Sequence, residues 1–485
     1  MARQAAVACG NPATASAAAS TLLRGGNAVD AIVAAGFAAA VAEPGLTSLG
    51  GGGFLLYRPP DGDDQVLDFF VDTPGRGLPS SALTPHFTPI TVSFSGAEQV
   101  FHVGYGSVGV PGVLDGYLAA HRRFGELPLA DVTAPARDAA QEGVPLARAQ
   151  AEVLDLIHDI VTLTPPARAV FEPDRTRPQV GDLLRNRAYG DFLSTLHATE
   201  TTGWRDVQTG RQIAADMAGH DGLVTLADLD AYEVIDRTPL VTAFRGARIS
   251  TNPGPSFGGS IIVDALARLE KPSAGHTVIQ AVSLVEALIY ATERAKSNSR
   301  PQSNKGTTHI SVADGAGGIA SMTTSNGSCS GVMAGDSGVQ LNNVMGESDL
   351  HPDGFHASPA GTRVGSMMSP TFVDLADGRM VAMGSGGSER IRSALLQAIV
   401  HLVNGATLTQ AIEAPRIHHD GRRIQFEPGV RANVAAALGE IAPVNRWTSP
   451  NLYFGGVHAV MRYPDGRVEA VGDHRRDGTG QVVDL

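Results

Sequence analysis

The sequence predicts an α+β fold, in which strands lie towards both ends of the chain and helices lie between them. Strand patterns occur at residues 54–58 and 65–71 and return after residue 240, whereas residues 129–232 are mostly helical in pattern. Strands and helices do not alternate as they do in parallel α/β folds, so the pattern favours a layered α+β body. The 485 residues allow one large enzyme body or about two or three domains.

The first half of the chain is predicted to contain helices that glycine and proline interrupt. Gly25 and Gly26 stop the first helix, Asn27 caps the second, and Pro44 ends it. Apolar periodicity and turn residues locate the remaining elements. In chain order the predictions are helices over 13–24 and 28–42, strands at 54–58 and 65–71, a helix over 113–123, helical runs at 147–162 and 226–232, strands at 240–244 and 247–251, and helices over 260–270 and 278–296.

The second half begins with the most polar ten-residue stretch of the chain, SNSRPQSNKG at residues 297–306. Its composition predicts an exposed loop. The elements predicted after this loop are strands at 307–314, 319–325, 370–374 and 380–383, helices over 391–403 and 408–414, and strands at 457–462 and 468–471.

Composition excludes several classes of protein. A net charge of −12 and the absence of a basic excess argue against a nucleic-acid partner. There is no P-loop motif, and Cys9 and Cys329 are too few for a disulfide framework. The most apolar stretch, residues 31–42, is shorter than the roughly 20 residues of a membrane-spanning helix, and residues 1–10 do not resemble a signal peptide. We therefore expect no membrane partner and a cytoplasmic location.

Residues 307–314 and 319–325 are predicted to form a β-hairpin that places two hydroxyl groups side by side. The Gly-rich turn at 314–318 centres on residue 316, which sets Thr307 opposite Ser325. Directly opposed Cβ atoms lie roughly 4.5–5.5 Å apart, so these hydroxyls can hydrogen-bond. On the pattern alone, an ordinary Thr/Ser pair in a sheet remains the alternative.

Thr307 is the first residue of its predicted strand and directly follows the polar loop. A threonine hydroxyl needs a base to become a nucleophile, and one known arrangement uses the threonine's own α-amine. An internal threonine acquires a free amine only when the preceding peptide bond is broken. The exposed loop ending at Gly306 is where such a break is sterically easiest, and the Thr307 hydroxyl could itself attack the Gly306 carbonyl.

A series of ordered motifs between residues 25 and 478 makes the chain recognisable. They are GGNAVDAIVAA (25–35), EPGLTSLGGGGF (43–54), VPG (110–112), GLVTLADLDAY (222–232), PSFGG (255–259), TTHISVAD (307–314), AGDSGVQLNN (334–343), SMMSPT (366–371), GSGGSERI (384–391) and EAPRIHH (413–419). On these motifs the sequence resembles the γ-glutamyltranspeptidase (γ-glutamyltransferase) family of N-terminal nucleophile hydrolases.

The resemblance implies a four-layer αββα sandwich that is made as an inactive precursor. Self-cleavage between Gly306 and Thr307 would give a large subunit of residues 1–306 and a small subunit of residues 307–485, held together in one body. Thr307 would be the nucleophile and Ser325 the second hydroxyl beside it. Alignment on the later Arg-Ile makes Gly387 and Ser388 the donors to the oxyanion; alignment on the Gly-Gly pair would shift them to 386 and 387.

The resemblance is weaker where the family binds the α-amine and α-carboxylate of a γ-glutamyl group. The family's carboxylate-binding Arg would fall near Pro79, and Arg76 is the nearest substitute. The family's paired serines are Ser366 and Met367 here, so one hydroxyl is lost. The amine-binding positions are Val344 and Glu347, and Asn326 is the nearest match to a further family Asn.

The expected function is a self-processing threonine hydrolase or acyltransferase that cleaves γ-glutamyl, glutathione-like or related amides and passes the acyl group to water or an amine. No cofactor or metal is expected; the partners are a small amide substrate and the two subunits of one precursor, with oligomers open. One alternative is an amidase or acylase of the same fold with a non-glutamyl substrate. Two others are a serine hydrolase using Ser256 of the G-x-S-x-G match at 254–258, and a family member without activity.

Overall fold

The structure is a computed structural model that describes residues 3–94, 97–173, 175–197, 201–269, 277–295, 306–351 and 353–485. The strands are β1 (Gln4–Cys9), β2 (Gly52–Arg58), β3 (Gln65–Phe69), β4 (Thr88–Phe94), β5 (Ala97–Val103), β6 (Val144–Pro145), β7 (Leu183–Leu184), β8 (Ile235–Arg237), β9 (Leu240–Phe244), β10 (Ala247–Thr251), β11 (Gly306–Ala313), β12 (Ile319–Gly327), β13 (Thr371–Asp374), β14 (Met380–Gly386), β15 (Ile417–His419), β16 (Ile424–Phe426), β17 (Val444–Arg446), β18 (Gly456–Arg462), β19 (Val468–Val471) and β20 (Thr479–Asp484).

The α-helices of the described residues fall mostly between the two groups of strands and after β14. They are α1 (Pro12–Leu23), α2 (Ala28–Ala42), α3 (Val113–Phe124), α4 (Leu129–Glu142), α5 (Arg148–Leu156), α6 (His158–Val161), α7 (Pro165–Phe171), α8 (Arg187–Thr195), α9 (Gln208–Gly219), α10 (Leu226–Ala231), α11 (Phe257–Leu269), α12 (Thr277–Ala295), α13 (Arg390–Val403), α14 (Leu408–Glu413) and α15 (Ala432–Gly439). None of the helices described is long and apolar enough to cross a membrane.

Two antiparallel sheets form the centre of the molecule. The first has the strand order β20-β1-β11-β12-β2-β3-β8, and the second has the order β19-β18-β14-β13-β10-β9. Three smaller sheets, β15-β16-β17, β4-β5 and β6-β7, lie outside this pair. Both large sheets combine strands that precede residue 306 with strands that follow it.

Three separate apolar cores define four layers. One core contains residues of the first sheet, such as Val312, together with residues of α1 and α2, such as Val33. A second contains residues of the other sheet, such as Val381, together with residues of α11 and α13, such as Ile262. A third, which includes Leu56 and Val460, lies between the sheets. This order of helix, sheet, sheet and helix confirms the αββα sandwich.

Most predicted elements are confirmed to within a few residues, and the differences have local causes. The predicted helical run at 147–162 is divided into α5 and α6 at Ile157, and the strand expected at 65–71 ends at Phe69. Asn27 is confirmed as an N-cap: its side chain accepts hydrogen bonds from the N–H groups of Val29 (2.8 Å) and Asp30 (3.0 Å). The loop expected at 297–306 lies outside the described residues except for Gly306, which begins β11.

The hairpin register is confirmed, with one irregularity at its open end. Thr308 pairs with Thr324 and His309 with Thr323, the spacing expected for a turn centred on residue 316. Between Gly306 and Thr308 the register shifts by one residue, so Ser325 and Asn326 of β12 together lie opposite Thr307 in a β-bulge. A bulge redirects a side chain locally, and bulges are common beside active sites.

Candidate active site

Side chains along β11 alternate between the two faces of the first sheet, so every second one faces the space between the sheets. His309 lies on this face, where its ring occupies the space that a Cβ at Gly384 of β14 would need. Thr308 points the other way, and its hydroxyl donates to the buried carboxylate of Glu43 beside α2 (2.5 Å). Because successive side chains of a strand point to opposite faces, Thr307 shares the inter-sheet face with His309.

Three groups converge at the Gly306–Thr307 peptide bond. The Thr307 hydroxyl donates to Ser325 Oγ at 3.3 Å, and the Ser325 hydroxyl donates to the Gly306 carbonyl at 2.6 Å. The backbone N–H of Gly327 donates to the same Ser325 oxygen at 3.0 Å. Thr307 is only 4% exposed, so these bonds lie away from bulk water. The two hydroxyls that the register pairs are therefore in contact, and one of them also binds the carbonyl just before Thr307.

Gly306 fits its position because the surrounding backbone leaves no room for a side chain. A Cβ at this residue would lie 2.7 Å from the Gly327 carbonyl oxygen, closer still to the Gly45 carbonyl oxygen, and 3.1 Å from Leu46 Cα. Real Cβ atoms essentially never come so close to backbone. The glycine is required here by this close approach of other chain segments.

The Gly-rich turn after β14 lies directly beside Thr307. Gly386 packs against the Thr307 carbonyl, Gly387 has a φ of +115°, and Ser388 has a φ of +54°. A positive φ is uncommon for a residue other than glycine, so the turn holds Ser388 in a strained conformation. No acceptor within the described residues takes a hydrogen bond from the backbone N–H groups of Gly387 or Ser388. These free donors agree with the alignment that pairs Gly387 with Ser388.

A small cavity opens at the same place. Its lining residues are Phe70, Thr307, Ser325, Val344, Glu347, Leu350, Ser366, Met367, Met368, Ser388 and Ile391. Its volume is about 30 Å³. The predicted nucleophile, the second hydroxyl and one predicted oxyanion donor therefore line the same space.

The electrostatic character of this cavity is simple. Among its described lining residues there is no lysine or arginine, and Glu347 is the one carboxylate. Six of the lining side chains are apolar, and Ser366 contributes a hydroxyl that accepts from the N–H of Met368 at 3.1 Å. Among the described lining residues, a negatively charged ligand group in this cavity therefore finds no cationic side chain to pair with.

The structure brings together some of the predicted substrate-binding residues and separates others. Glu347, Ser366 and Met367 line the cavity as expected. Asn326 does not: it lies in β12 and is fully buried, and its amide donates to the Leu341 carbonyl at 3.2 Å. Arg76 does not line it either, because its exposed side chain lies against Gly361.

Sequence reasoning missed one buried cation next to Thr307. Arg476 Nη1 donates to the Thr307 carbonyl at 3.2 Å, and Nη2 donates to the Leu452 carbonyl at 3.4 Å. Burial, assisted by the nearby charge of Arg390, lowers the pKa of Arg476 to about 10. The sequence held no signal for this contact, since the partners are far apart in the chain and one is a backbone atom.

The rival nucleophile Ser256 is placed in a structural role. Its hydroxyl is buried within reach of two backbone carbonyls, at 2.9 Å from that of Ser366 and 2.7 Å from that of Met368. The N–H of Phe257 donates to the same Ser366 carbonyl at 2.7 Å. Ser256 thus anchors the segment that carries Ser366 into the cavity, which favours a structural role for this serine over the serine-hydrolase alternative.

The remaining polar clusters and cavities do not coincide with this site. His418 contacts the Ser393 hydroxyl at 2.8 Å, and no group of three or more metal-ligating side chains occurs in the described part of the chain. A larger cavity of about 910 Å³, lined in part by Asn186 and Met333, contains none of the predicted site residues.

Comparison with known proteins agrees with the geometry. The sequence model described as Gamma-glutamyltranspeptidase matches residues 14–299 and 280–483. An acylase ACY 1 proenzyme from Pseudomonas sp. (strain SE83) is 31% identical over 521 residues, which covers 98% of this chain and 92% of the relative. A glutathione hydrolase proenzyme from Escherichia coli (strain K12) is 28% identical, over 94% of this chain and 87% of the relative.

The solved structures include a cephalosporin acylase from Bacillus halodurans. It superposes with a TM-score of 0.84 at 25% identity and covers 99% of this chain and 96% of its own. Relatives described as glutathione hydrolases and relatives described as acylases therefore both match more than nine-tenths of this chain. The chain belongs to the γ-glutamyltranspeptidase family of N-terminal nucleophile hydrolases.

Proposed function

We propose that the chain cleaves itself between Gly306 and Thr307 and then uses Thr307 as the nucleophile of an amide hydrolase or acyltransferase. The observation that carries this proposal is the contact of the Thr307 hydroxyl with Ser325, whose own hydroxyl donates to the Gly306 carbonyl at 2.6 Å. Such a donor polarises the carbonyl that must be attacked and stabilises the oxyanion that forms on it.

Cleavage is proposed to proceed in two steps, an acyl shift within the chain and hydrolysis by water. The Thr307 oxygen attacks the Gly306 carbonyl carbon, the C–N bond breaks, and the threonine nitrogen takes up the hydroxyl proton. Water then hydrolyses the resulting ester and leaves a carboxylate on Gly306 and a free α-amine on Thr307. Glycine at 306 supports this step, because the surrounding carbonyls leave no room for a larger residue.

Turnover would follow from the new amine. The α-amine accepts the hydroxyl proton of Thr307 as its oxygen attacks the substrate amide. The backbone N–H groups of Gly387 and Ser388 are free to stabilise the tetrahedral oxyanion. Loss of the leaving amine gives an acyl ester on Thr307, and water or another amine then takes the acyl group.

Two classes of acyl donor remain candidates. A γ-glutamyl or related amide is the first, and Glu347 in the cavity supports it because a carboxylate can bind the substrate α-amine. A non-glutamyl amide is the second, and it is favoured by the lack of a cation among the described lining residues. A γ-glutamyl α-carboxylate would be buried there without a charged partner, which is costly.

The proposed nucleophile is tested by two neighbouring variants. Thr307→Ala should abolish both chain cleavage and turnover, because it removes the attacking oxygen. Thr308→Ser is the matched control: it changes the adjacent threonine but keeps the hydroxyl that donates to Glu43, so cleavage should persist. Turnover that survives in Thr307→Ala would overturn the mechanism.

The acyl donor is tested with a set of four nitroanilides. These are γ-glutamyl, 4-aminobutyryl (which lacks the α-carboxylate), glutaryl (which lacks the amine) and butyryl. A γ-glutamyl enzyme should show its highest kcat/KM on the first compound. Faster release of nitroaniline from the 4-aminobutyryl or butyryl compound would instead establish the non-glutamyl class.

A further inference from the structure

Arg476 is a buried cation in direct contact with the proposed nucleophilic residue. Its side chain is packed on Gly456, and its guanidinium lies beside the turn at Gly386 and Gly387. From there Nη1 donates to the Thr307 carbonyl at 3.2 Å. The arginine is 7% exposed, so water screens its charge poorly.

No carboxylate lies within ion-pair distance of Arg476 in the part of the chain that the structure describes. Its Nε is also buried without an acceptor there. By contrast, the adjacent Arg475 binds both Glu427 (2.6 Å) and Asp473 (3.1 Å). A buried unpaired charge is destabilising, so a positive charge kept beside the nucleophile points to a role in the reaction.

The other charges around Thr307 only partly offset this cation. The groups concerned are Glu43, Glu347, Arg390, Asp473 and His309. Burial raises the pKa of Glu43 and lowers that of His309 well below its ordinary value, so both are shifted towards the neutral form. Asp473 is already paired with Arg416 and Arg475. Glu347 is left as the carboxylate that opposes the two cations, Arg476 and Arg390.

We propose that Arg476 is a positioning residue: it holds the Thr307 carbonyl, and its positive charge disfavours protonation of the α-amine that cleavage releases on the same residue. This inference rests on the proposed function, since the amine exists only after cleavage. The amine and carbonyl belong to one residue, so a cation bound to the carbonyl is within a few ångströms of the nitrogen. The amine is thereby kept as the free base that turnover requires.

The first test compares the pH dependence of kcat/KM, which reports the ionisation of the free enzyme. Removing a charge at this distance should move the acidic limb of the profile upward by about one pH unit in Arg476→Gln. Arg476→Lys keeps the charge and should leave the limb near its original position. Arg390→Gln is the matched control, because it removes a buried arginine that does not bind Thr307, and its shift should be smaller.

An acidic limb that stays in place in Arg476→Gln, or that moves equally in Arg476→Lys, would overturn the proposal. A folded but uncleaved Arg476→Gln chain would also overturn it, because the residue would then act in cleavage and not on the amine.

The second test uses the unaltered protein and does not depend on how the variants fold. The Thr307 amine is acetylated over a range of pH, and the modified small fragment is quantified by mass spectrometry. The midpoint should lie below the ordinary α-amine value of about 7.7. A midpoint at or above about 8 contradicts the proposal. Absence of any fragment beginning at Thr307 would instead mean that the proposed function itself has failed.

Discussion

At the scale of single residues, Ser325 uses its full hydrogen-bonding capacity at the proposed cleavage site. It accepts from Thr307 and from the N–H of Gly327, and it donates to the Gly306 carbonyl. A hydroxyl has one donor and two acceptor positions, and here all are occupied. Because Ser325 Oγ already accepts two hydrogen bonds, its own O–H group is directed towards the Gly306 carbonyl.

Ser325→Ala should slow chain cleavage by about 10²–10³-fold, the usual effect of removing one oxyanion donor. The rate is measured as the appearance of the two fragments on denaturing gels. Ser328→Ala is a suitable control, since Ser328 is also buried but its hydroxyl has no partner among the described residues. Equal cleavage rates in the two variants would remove Ser325 from the mechanism.

The residues that could be predicted from sequence are those tied to a local register. Thr307 and Ser325 follow from counting outward from one hairpin turn, and the structure brings their side chains together. Arg476 could not be predicted by counting along a hairpin, because its contact with the Thr307 carbonyl depends on how the end of the chain packs. Arg76 and Asn326 lie close in sequence to a motif, but neither side chain lines the cavity in the structure, because proximity in sequence does not determine where a side chain packs.

At the scale of elements, α2 shows how local signals and tertiary packing act together. Asn27 caps its N-terminus, and the Asp30 carboxylate accepts a hydrogen bond from the Asn27 N–H at 3.1 Å. Asn27 Nδ2 also donates to the Phe124 carbonyl at the end of α3, at 2.6 Å. The Asn27 side chain therefore caps α2 and also hydrogen-bonds the end of α3.

Asn27→Ala should lower the free energy of unfolding by about 1–2 kcal/mol, because cap donors and the Phe124 carbonyl lose their partner. The change is best measured by urea unfolding of the uncleaved Thr307→Ala chain. Asn27→Ser restores a capping oxygen and should recover part of the loss. An unchanged urea midpoint in Asn27→Ala would show that packing alone holds α2.

Element boundaries were predictable where capping, glycine and alternation agreed, as in α2 and in the β11–β12 hairpin. Element boundaries were less predictable where tertiary contacts determine the backbone conformation. The helical pattern at 147–162 does not predict the break between α5 and α6 at Ile157, whose side chain is buried in a separate small core. The strand expected to reach residue 71 ends at Phe69, where the chain leaves the sheet towards the cavity.

At the scale of the whole molecule, residues on both sides of the proposed cleavage point are interleaved. In the first sheet β1 lies between β20 and β11, and β12 lies beside β2; in the second, β13 lies beside β10. Separating residues 1–306 from residues 307–485 would break these strand pairs and divide the apolar cores. Both fragments should therefore elute together under native conditions and part only in denaturant.

A buried ionic cluster near the chain end makes stability depend on pH. Burial alone would raise the pKa of Asp473, but Arg416 and Arg475 outweigh it and hold that pKa well below its ordinary value. Burial lowers the pKa of His458 to about 4. Both groups bind protons more readily in the unfolded chain, so both make stability fall as pH falls.

The loss should begin near pH 6.5, where an unfolded histidine titrates, and steepen below about pH 4, where an unfolded aspartate does. This loss of stability is measured as the change in urea midpoint of the Thr307→Ala chain from about pH 8 to about pH 3, a range that spans the ordinary pKa values of histidine and aspartate. Asp473→Asn should lower stability at neutral pH by about 3–5 kcal/mol, since it leaves the buried Arg416 without its carboxylate partner, whereas Arg475 keeps Glu427. A midpoint that is constant down to pH 4 would contradict this account.

Self-cleavage at Thr307 is the central claim, and the intact mass of the purified, denatured protein tests it most directly. The account predicts two chains in place of one of 50.3 kDa, the smaller beginning Thr-Thr-His-Ile at Thr307. The Thr307→Ala protein should remain a single chain under the same conditions. A wild-type protein that stays uncleaved after prolonged incubation yet releases acyl groups from amides would contradict the account.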